Sequence, residues 1–131
     1  MEKTFKLMCI VLCLGYFSGC TVSHQIIKPN YIGNDGVIIT VKRPSAFKAC
    51  ACALYLHMDN MVVCEIQNGK EYIFTIKPGK HIFSVSDCAK INGNVIQINL
   101  QGGNKYNIKM FYIWNYGPQM SINKIKKENV L

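Results

Sequence analysis

The chain has 131 residues, 50% of them hydrophobic, and 15 Lys and Arg against 7 Asp and Glu, for a formal net charge of +8. That length makes one domain, and the apolar share excludes a disordered chain. The basic residues are lysines scattered along the chain apart from Lys124, Lys126 and Lys127, with Arg43 the single arginine; nucleic-acid readers rely on arginine forks, so the balance argues against one and for a solvated face weakly drawn to anionic lipid or glycan.

Lys3 and Lys6 precede an apolar run from Leu7 to Phe17. The run is shorter than the roughly 20 residues a spanning helix needs. It suits a signal-peptide core, which is about 7–15 residues long. Phe17-Ser18-Gly19-Cys20 closes it. A peptidase cleft takes small residues before the cut, and a thiol can be alkylated by a diacylglycerol donor. These four residues resemble the processing site of bacterial lipoproteins, with Phe17 where that family prefers Leu. The resemblance implies a signal helix over 1–19, cleavage before Cys20 and acyl chains on Cys20 that hold the protein to a membrane. Each buried methylene contributes about 0.8 kcal/mol, so several chains suffice as an anchor. Thr21 stands where Asp would favour the inner membrane, which implies the outer membrane, facing the periplasm. The leader carries two Lys and one Glu, so 112 residues of net charge +7 remain after cleavage.

Residues 20–36 read as the lipidated N-terminus and a tether, rich in turn formers such as Pro29, Gly33, Asn34, Asp35 and Gly36. Strands follow. Val37 to Val41 is β-branched, and Pro44 ends it. Cys52 to Met58 and Met61 to Ile66 flank Asp59-Asn60, a pair that tolerates the positive φ of a type I′ hairpin. Gln67-Asn68-Gly69-Lys70 turns the chain into Glu71 to Lys77, with Tyr72, Phe74 and Ile76 on one face at period two. Pro78-Gly79 reverses it into Lys80 to Ser86. Asn92-Gly93-Asn94 reads as a turn before Val95 to Leu100. Gly102-Gly103-Asn104 leads into Lys105 to Trp114, which Gly117-Pro118 closes. Met120 to Ile125 is a candidate edge strand, and 126–131 a basic tail. No helical apolar period persists over three turns in the chain that remains after cleavage. About seven short strands with turns every 8–12 residues predict an all-β, Ig-like antiparallel β-sandwich over 37–125.

Export changes the meaning of the cysteines. Cys50, Cys52, Cys64 and Cys88 remain in the mature domain, and an oxidising compartment makes all four disulfide candidates. Cys50 and Cys52 are too close to pair, so each is expected to reach Cys64 or Cys88. A bridge stabilises a small domain by about 2–4 kcal/mol. The Cys-x-Cys spacing lacks the second close pair of a structural zinc site, so no metal and no cofactor is expected.

Val41-Lys42-Arg43-Pro44-Ser45-Ala46-Phe47 is similar to the opening of a family of small bacterial envelope lipoproteins grouped as a domain of unknown function. Tyr55 to Val63 resembles their central hairpin, with Asp59-Asn60-Met61 in place of the usual Asp-Gly-Lys turn. Gln67-Asn68-Gly69-Lys70 matches their Asn-Gly turn, and Lys77-Pro78-Gly79-Lys80-His81 a reversal shared with PEGA-like modules. Cys50-Ala51-Cys52 departs from the small apolar residues usual there. The resemblance spans about a third of the chain and implies an Ig-like sandwich rather than an activity.

Cys64, His57 and Asp59 flank one hairpin and can be drawn as nucleophile, base and orienter, but Asp59 is explained by its turn and His81 by a half-buried strand. No phosphate loop, acid pair or glycine-flanked nucleophile is present. Tyr106, Tyr112, Trp114 and Tyr116 cluster near Lys105 and Lys109 and can stack on sugar rings or anchor a protein partner. The expectation is therefore a lipid-anchored, non-catalytic binding or structural module of the envelope, with an envelope protein or glycan as partner. The alternative is a small periplasmic cysteine-dependent hydrolase or redox protein.

Overall fold

Turn chemistry divides the chain into eight strands in the computed structural model, which describes residues 29–45 and 52–126. They are β1 (Val37–Lys42), β2 (Leu54–Met58), β3 (Met61–Ile66), β4 (Glu71–Ile76), β5 (Gly79–Asp87), β6 (Asn92–Leu100), β7 (Lys105–Ile113) and β8 (Gly117–Ile125). The expected signal helix over 1–19, Cys20, Cys50 and 127–131 lie outside the described residues.

Asp59 and Asn60 take φ of 51° and 67°, as the β2–β3 hairpin requires. Gly69 and Gly103, both at φ 73°, close the β3–β4 and β6–β7 turns. The strands form two four-stranded sheets, ordered β4-β1-β7-β8 and β3-β2-β5-β6. Their inner faces make the core: Val37, Ile39 and Val41 from β1, Leu54 and Leu56 from β2, Phe83 and Val85 from β5, Ile108 and Met110 from β7. Each such side chain contributes about 1.5–3 kcal/mol by leaving water.

The all-β sandwich is the expected one, with four differences in detail. There are eight strands rather than about seven, because the candidate edge segment is a full strand, β8, paired along β7 from Ile113↔Gly117 to Lys105↔Ile125. The sheets are not wholly antiparallel, since β1 runs parallel to β7. Alternation decides which side chains are buried but not which way a neighbour runs. The architecture is that of an Ig-like sandwich, but an immunoglobulin domain orders its strands A-B-E-D and C-F-G, whereas here the first strand sits between the fourth and the seventh.

The fourth difference is Asn92-Gly93-Asn94, which begins β6 instead of turning. The turn lies one step earlier, where Asp87 Oδ1 accepts the amides of Ala89 and Ile91, both at 2.9 Å, and Lys90 takes φ 61°. Gly93 and Asn94 are used between the sheets. A Cβ on Gly93 would fall 1.9 Å from Pro118 O, so only glycine fits. The Asn94 amide donates to Met120 O and accepts from Met120 N, each at 2.8 Å. One flank of the sandwich, β6 against β8, is thereby zipped shut.

The part of the tether that is described sits on the sandwich. Asn30 bridges Thr75 in parallel fashion, Tyr31 N donates to Thr75 O at 3.0 Å, and Gly103 N reaches Asp35 O at 3.3 Å. The chain thus enters alongside β4 before looping into β1.

Candidate functional site

The flank opposite the Asn94 zipper, between edge strands β3 and β4, is open. Tyr72 pairs in register with Val41, which is fully buried, so Tyr72 belongs to the inner face; yet it is 45% exposed because the second sheet does not cover it. The result is a cleft of about 690 Å³ whose apolar side is Tyr72, Ile73, Phe74 and Val63, with Pro29 and Asn30 at its rim and Glu65 and Gln67 as polar lining. A β-bulge shapes it. Leu56 faces Cys64 and His57 faces Val62, which leaves Val63 as the extra residue and bends β3 at the mouth. Such a cleft suits an apolar group or an extended segment laid along an edge strand.

Cys64 lies at the floor of this cleft, 5% exposed. Burial, and then the nearby Glu65 charge, pushes its thiol up to about 11. That is the reverse of an activated cysteine, whose thiolate is favoured near neutral pH. The expectation that Cys64 pairs in a disulfide is corrected: it is a free thiol. It stands opposite Leu56 on the core face, out of reach of bridges at the sheet end. The bridge joins Cys52 to Cys88, just before β2 and just after β5, two neighbouring strands.

The same end holds Arg43, read in the sequence as the single arginine and as part of the Val41–Phe47 resemblance. It is 4% exposed. Its Nη1 donates to Cys52 O at 2.6 Å and to Ile66 O at 3.1 Å, and its amide donates to Lys70 O at 3.0 Å. One guanidinium therefore ties the end of β1 in one sheet to the ends of β2 and β3 in the other. The signal was available in part: Arg43 follows directly on the alternating apolar stretch of β1, where its side chain continues the inward face.

The three residues of the conceivable catalytic hairpin go to three different places. Cys64 faces the core. His57 Nε2 meets Ser86 Oγ at 2.8 Å, on the opposite face of the sheet. Asp59 Oδ2 meets His81 Nδ1 at 2.7 Å, while Asp59 Oδ1 accepts the Ile82 amide at 2.9 Å. His81 Nε2 faces Lys77 O at 2.7 Å, so both ring nitrogens are engaged and the ring locks the β2–β3 turn to the start of β5. Among the described residues no three His, Cys, Asp or Glu side chains gather as metal ligands would.

Partial burial pushes the Asp59 carboxyl up, but the Ile82 amide and the His81 ring outweigh it and hold its pKa below the ordinary carboxylate value. A carboxyl lowered on folding adds stability above its unfolded pKa and gives it up as pH falls through the folded one. Asp59→Asn is thus expected to cost about 1–2 kcal/mol at pH 7, discounted because the side chain is partly open to water. The difference between the two proteins should shrink as pH falls below about 4. Urea unfolding at pH 7 and pH 3 checks this, and an unchanged difference would remove Asp59 as the titrating group.

The aromatic group divides. Tyr106 is 4% exposed and its hydroxyl accepts the Gln101 amide at 3.2 Å. Tyr112 is half-buried against the core. Tyr106 offers no stacking face, which corrects the expectation for it, whereas Tyr112 stays partly exposed; both alternate onto the inner side of β7. Trp114 and Tyr116 are 66% and 75% exposed at the β7–β8 turn.

No family model and no curated protein matches this chain. It is similar to the NMR structure of a protein from Eubacterium rectale, at 10% identity over 75% of this chain and 98% of that one, with a TM-score of 0.45. So distant a likeness says nothing about function.

Proposed function

We propose that the chain is a lipid-anchored bacterial envelope protein, held by acyl groups on Cys20 to the outer membrane on its periplasmic side. Its sandwich acts there as a non-catalytic binding module, with the β3–β4 cleft as the ligand site. The observation that carries the reading is the Cys52–Cys88 bridge. Disulfides persist in oxidising compartments, and export is what the Leu7–Phe17 run and the Ser18-Gly19-Cys20 ending would bring about. The cleft supports binding, since it opens the inner face of a sheet that is closed on its other flank. The chemistry around it supports a role without catalysis: the thiol at its floor is held protonated, and His57 and His81 are hydrogen-bonded elsewhere.

The test is metabolic labelling with palmitate in a Gram-negative host. The wild-type chain should take up label and fractionate with the outer membrane. Cys20→Ala should take up none. Equal labelling of both, or a cytoplasmic chain with its leader intact, would end the anchored reading.

A further inference from the structure

The turn between β7 and β8 projects Trp114 and Tyr116, and two further exposed apolar side chains flank them: Ile113 at 40% and Ile91 at 49%. Ile91 belongs to this group, because its Cγ2 lies 3.3 Å from where a Cβ on Gly117 would stand. The turn uses left-handed backbone at two positions, Asn115 at φ 74° and Gly117 at φ 81°, which Asn and Gly accept readily. Lys90 borders the patch in the adjacent turn. The exposed carboxylates of Asp35 and Asp59 belong to turns at the other end of the strands, Asp87 is buried, and Glu71 faces Lys42 at 3.8 Å. Trp and Tyr, with an apolar body and a polar tip, favour the boundary between lipid and water, and a nearby Lys favours anionic headgroups.

Chain direction says what this patch faces. Asn30 pairs with Thr75 in the parallel sense. Strand β4 begins at the end where β1 and β7 finish, since Lys42 pairs with Glu71 and with Lys109. The chain therefore enters the fold from the end that carries Trp114. The lengths agree as well. Thr75 is level with Ile38, and Ile38 with Lys105, so Asn30 stands about 30 Å above Trp114 along the strand direction at the usual rise per residue. Cys20 precedes Asn30 by ten residues, which reach at most about 33–36 Å when extended. A leash entering from that end and barely longer than the sheet brings the tip to the surface that holds the anchor.

We infer that the Ile91–Ile113–Trp114–Tyr116 tip rests in the interfacial layer of the membrane to which Cys20 is anchored, so that the domain stands upright with the β3–β4 cleft open sideways to the aqueous space. The inference rests on the anchored reading. Trp114 is the only tryptophan in the chain, so its emission reports this one site. The purified mature protein, with Cys20 acylation read by mass, is reconstituted on vesicles of phosphatidylethanolamine and phosphatidylglycerol. Trp114 emission should shift to the blue, its quenching by iodide should fall several-fold, and lipids brominated near the headgroup should quench it. Ile91→Ser with Tyr116→Ser should reduce the bromolipid quenching while the protein still floats with the vesicles. An acylated protein that floats while Trp114 stays open to iodide and untouched by bromolipid overturns the seating and leaves the anchor standing. A Cys20 without acyl groups overturns the anchor, and the leash argument with it. Shielding that needs no vesicles and grows with protein concentration assigns the tip to a second copy instead.

Discussion

Replacing Cys52 and Cys88 together by alanine is expected to lower the free energy of unfolding by about 3–4 kcal/mol. The bridge closes a loop with a sequence separation of 36, and most of its effect lies in restricting the unfolded chain. A domain of this kind is stable by only about 5–15 kcal/mol in total, so the loss takes a large share. Urea unfolding of the variant, and of the wild type with reductant, should give the same reduced midpoint, since Cys64 is already a free thiol. A midpoint that does not move would mean that the ends of β2 and β5 are held by packing alone. The Leu54↔Asp87 pairing at that end of the ladder makes partial folding without the bridge the expected outcome, rather than collapse to an unfolded chain.

Arg43→Met should cost nearly as much, about 2–4 kcal/mol, even though methionine keeps much of the aliphatic volume. The guanidinium satisfies two carbonyls, the part-buried one of Cys52 and the buried one of Ile66. Methionine leaves both without that donor, and the relief of a buried charge offsets only part of the loss. Arg43→Lys should fall between, because a single ammonium on a flexible stem lacks the planar fork. Arg43 bonds to Cys52 itself, so its effect and that of the bridge should not add. A double-mutant cycle between Arg43→Met and the paired cysteine variant should show a coupling of about 0.5 kcal/mol or more. Strict additivity would separate the two devices and count against a shared latch at that end of the sandwich.

Both predictions concern residues that were only half visible in the sequence. Cys52 and Cys88 were candidates because export to an oxidising compartment pointed to bridges. Nothing in the spacing distinguished Cys64, whose thiol faces the core because it stands opposite Leu56. Arg43 was legible as unusual, being the only arginine, but its burial needed both sheets in place. Asp59-Asn60 and Asn68-Gly69 were legible as turns because positive φ is a demand on one or two residues. Asn92-Gly93-Asn94 carried the same signal and does something else: its glycine admits Pro118 O and its asparagine bonds Met120 across the sheets.

Local chemistry therefore decided the elements: where strands run, where hairpins reverse, and which side chains of each strand turn inward. These depend on periodicity and on φ preferences that neighbours a few residues apart already express. Tertiary structure alone decided the parallel pairing of β1 with β7, the closed flank at Asn94 and the open one at Tyr72, the choice of Cys88 for Cys52, and the exposure of Trp114 and Tyr116 against the burial of Tyr106. Each of these depends on which distant strands meet, and a pattern with period two is the same whichever strand lies across from it.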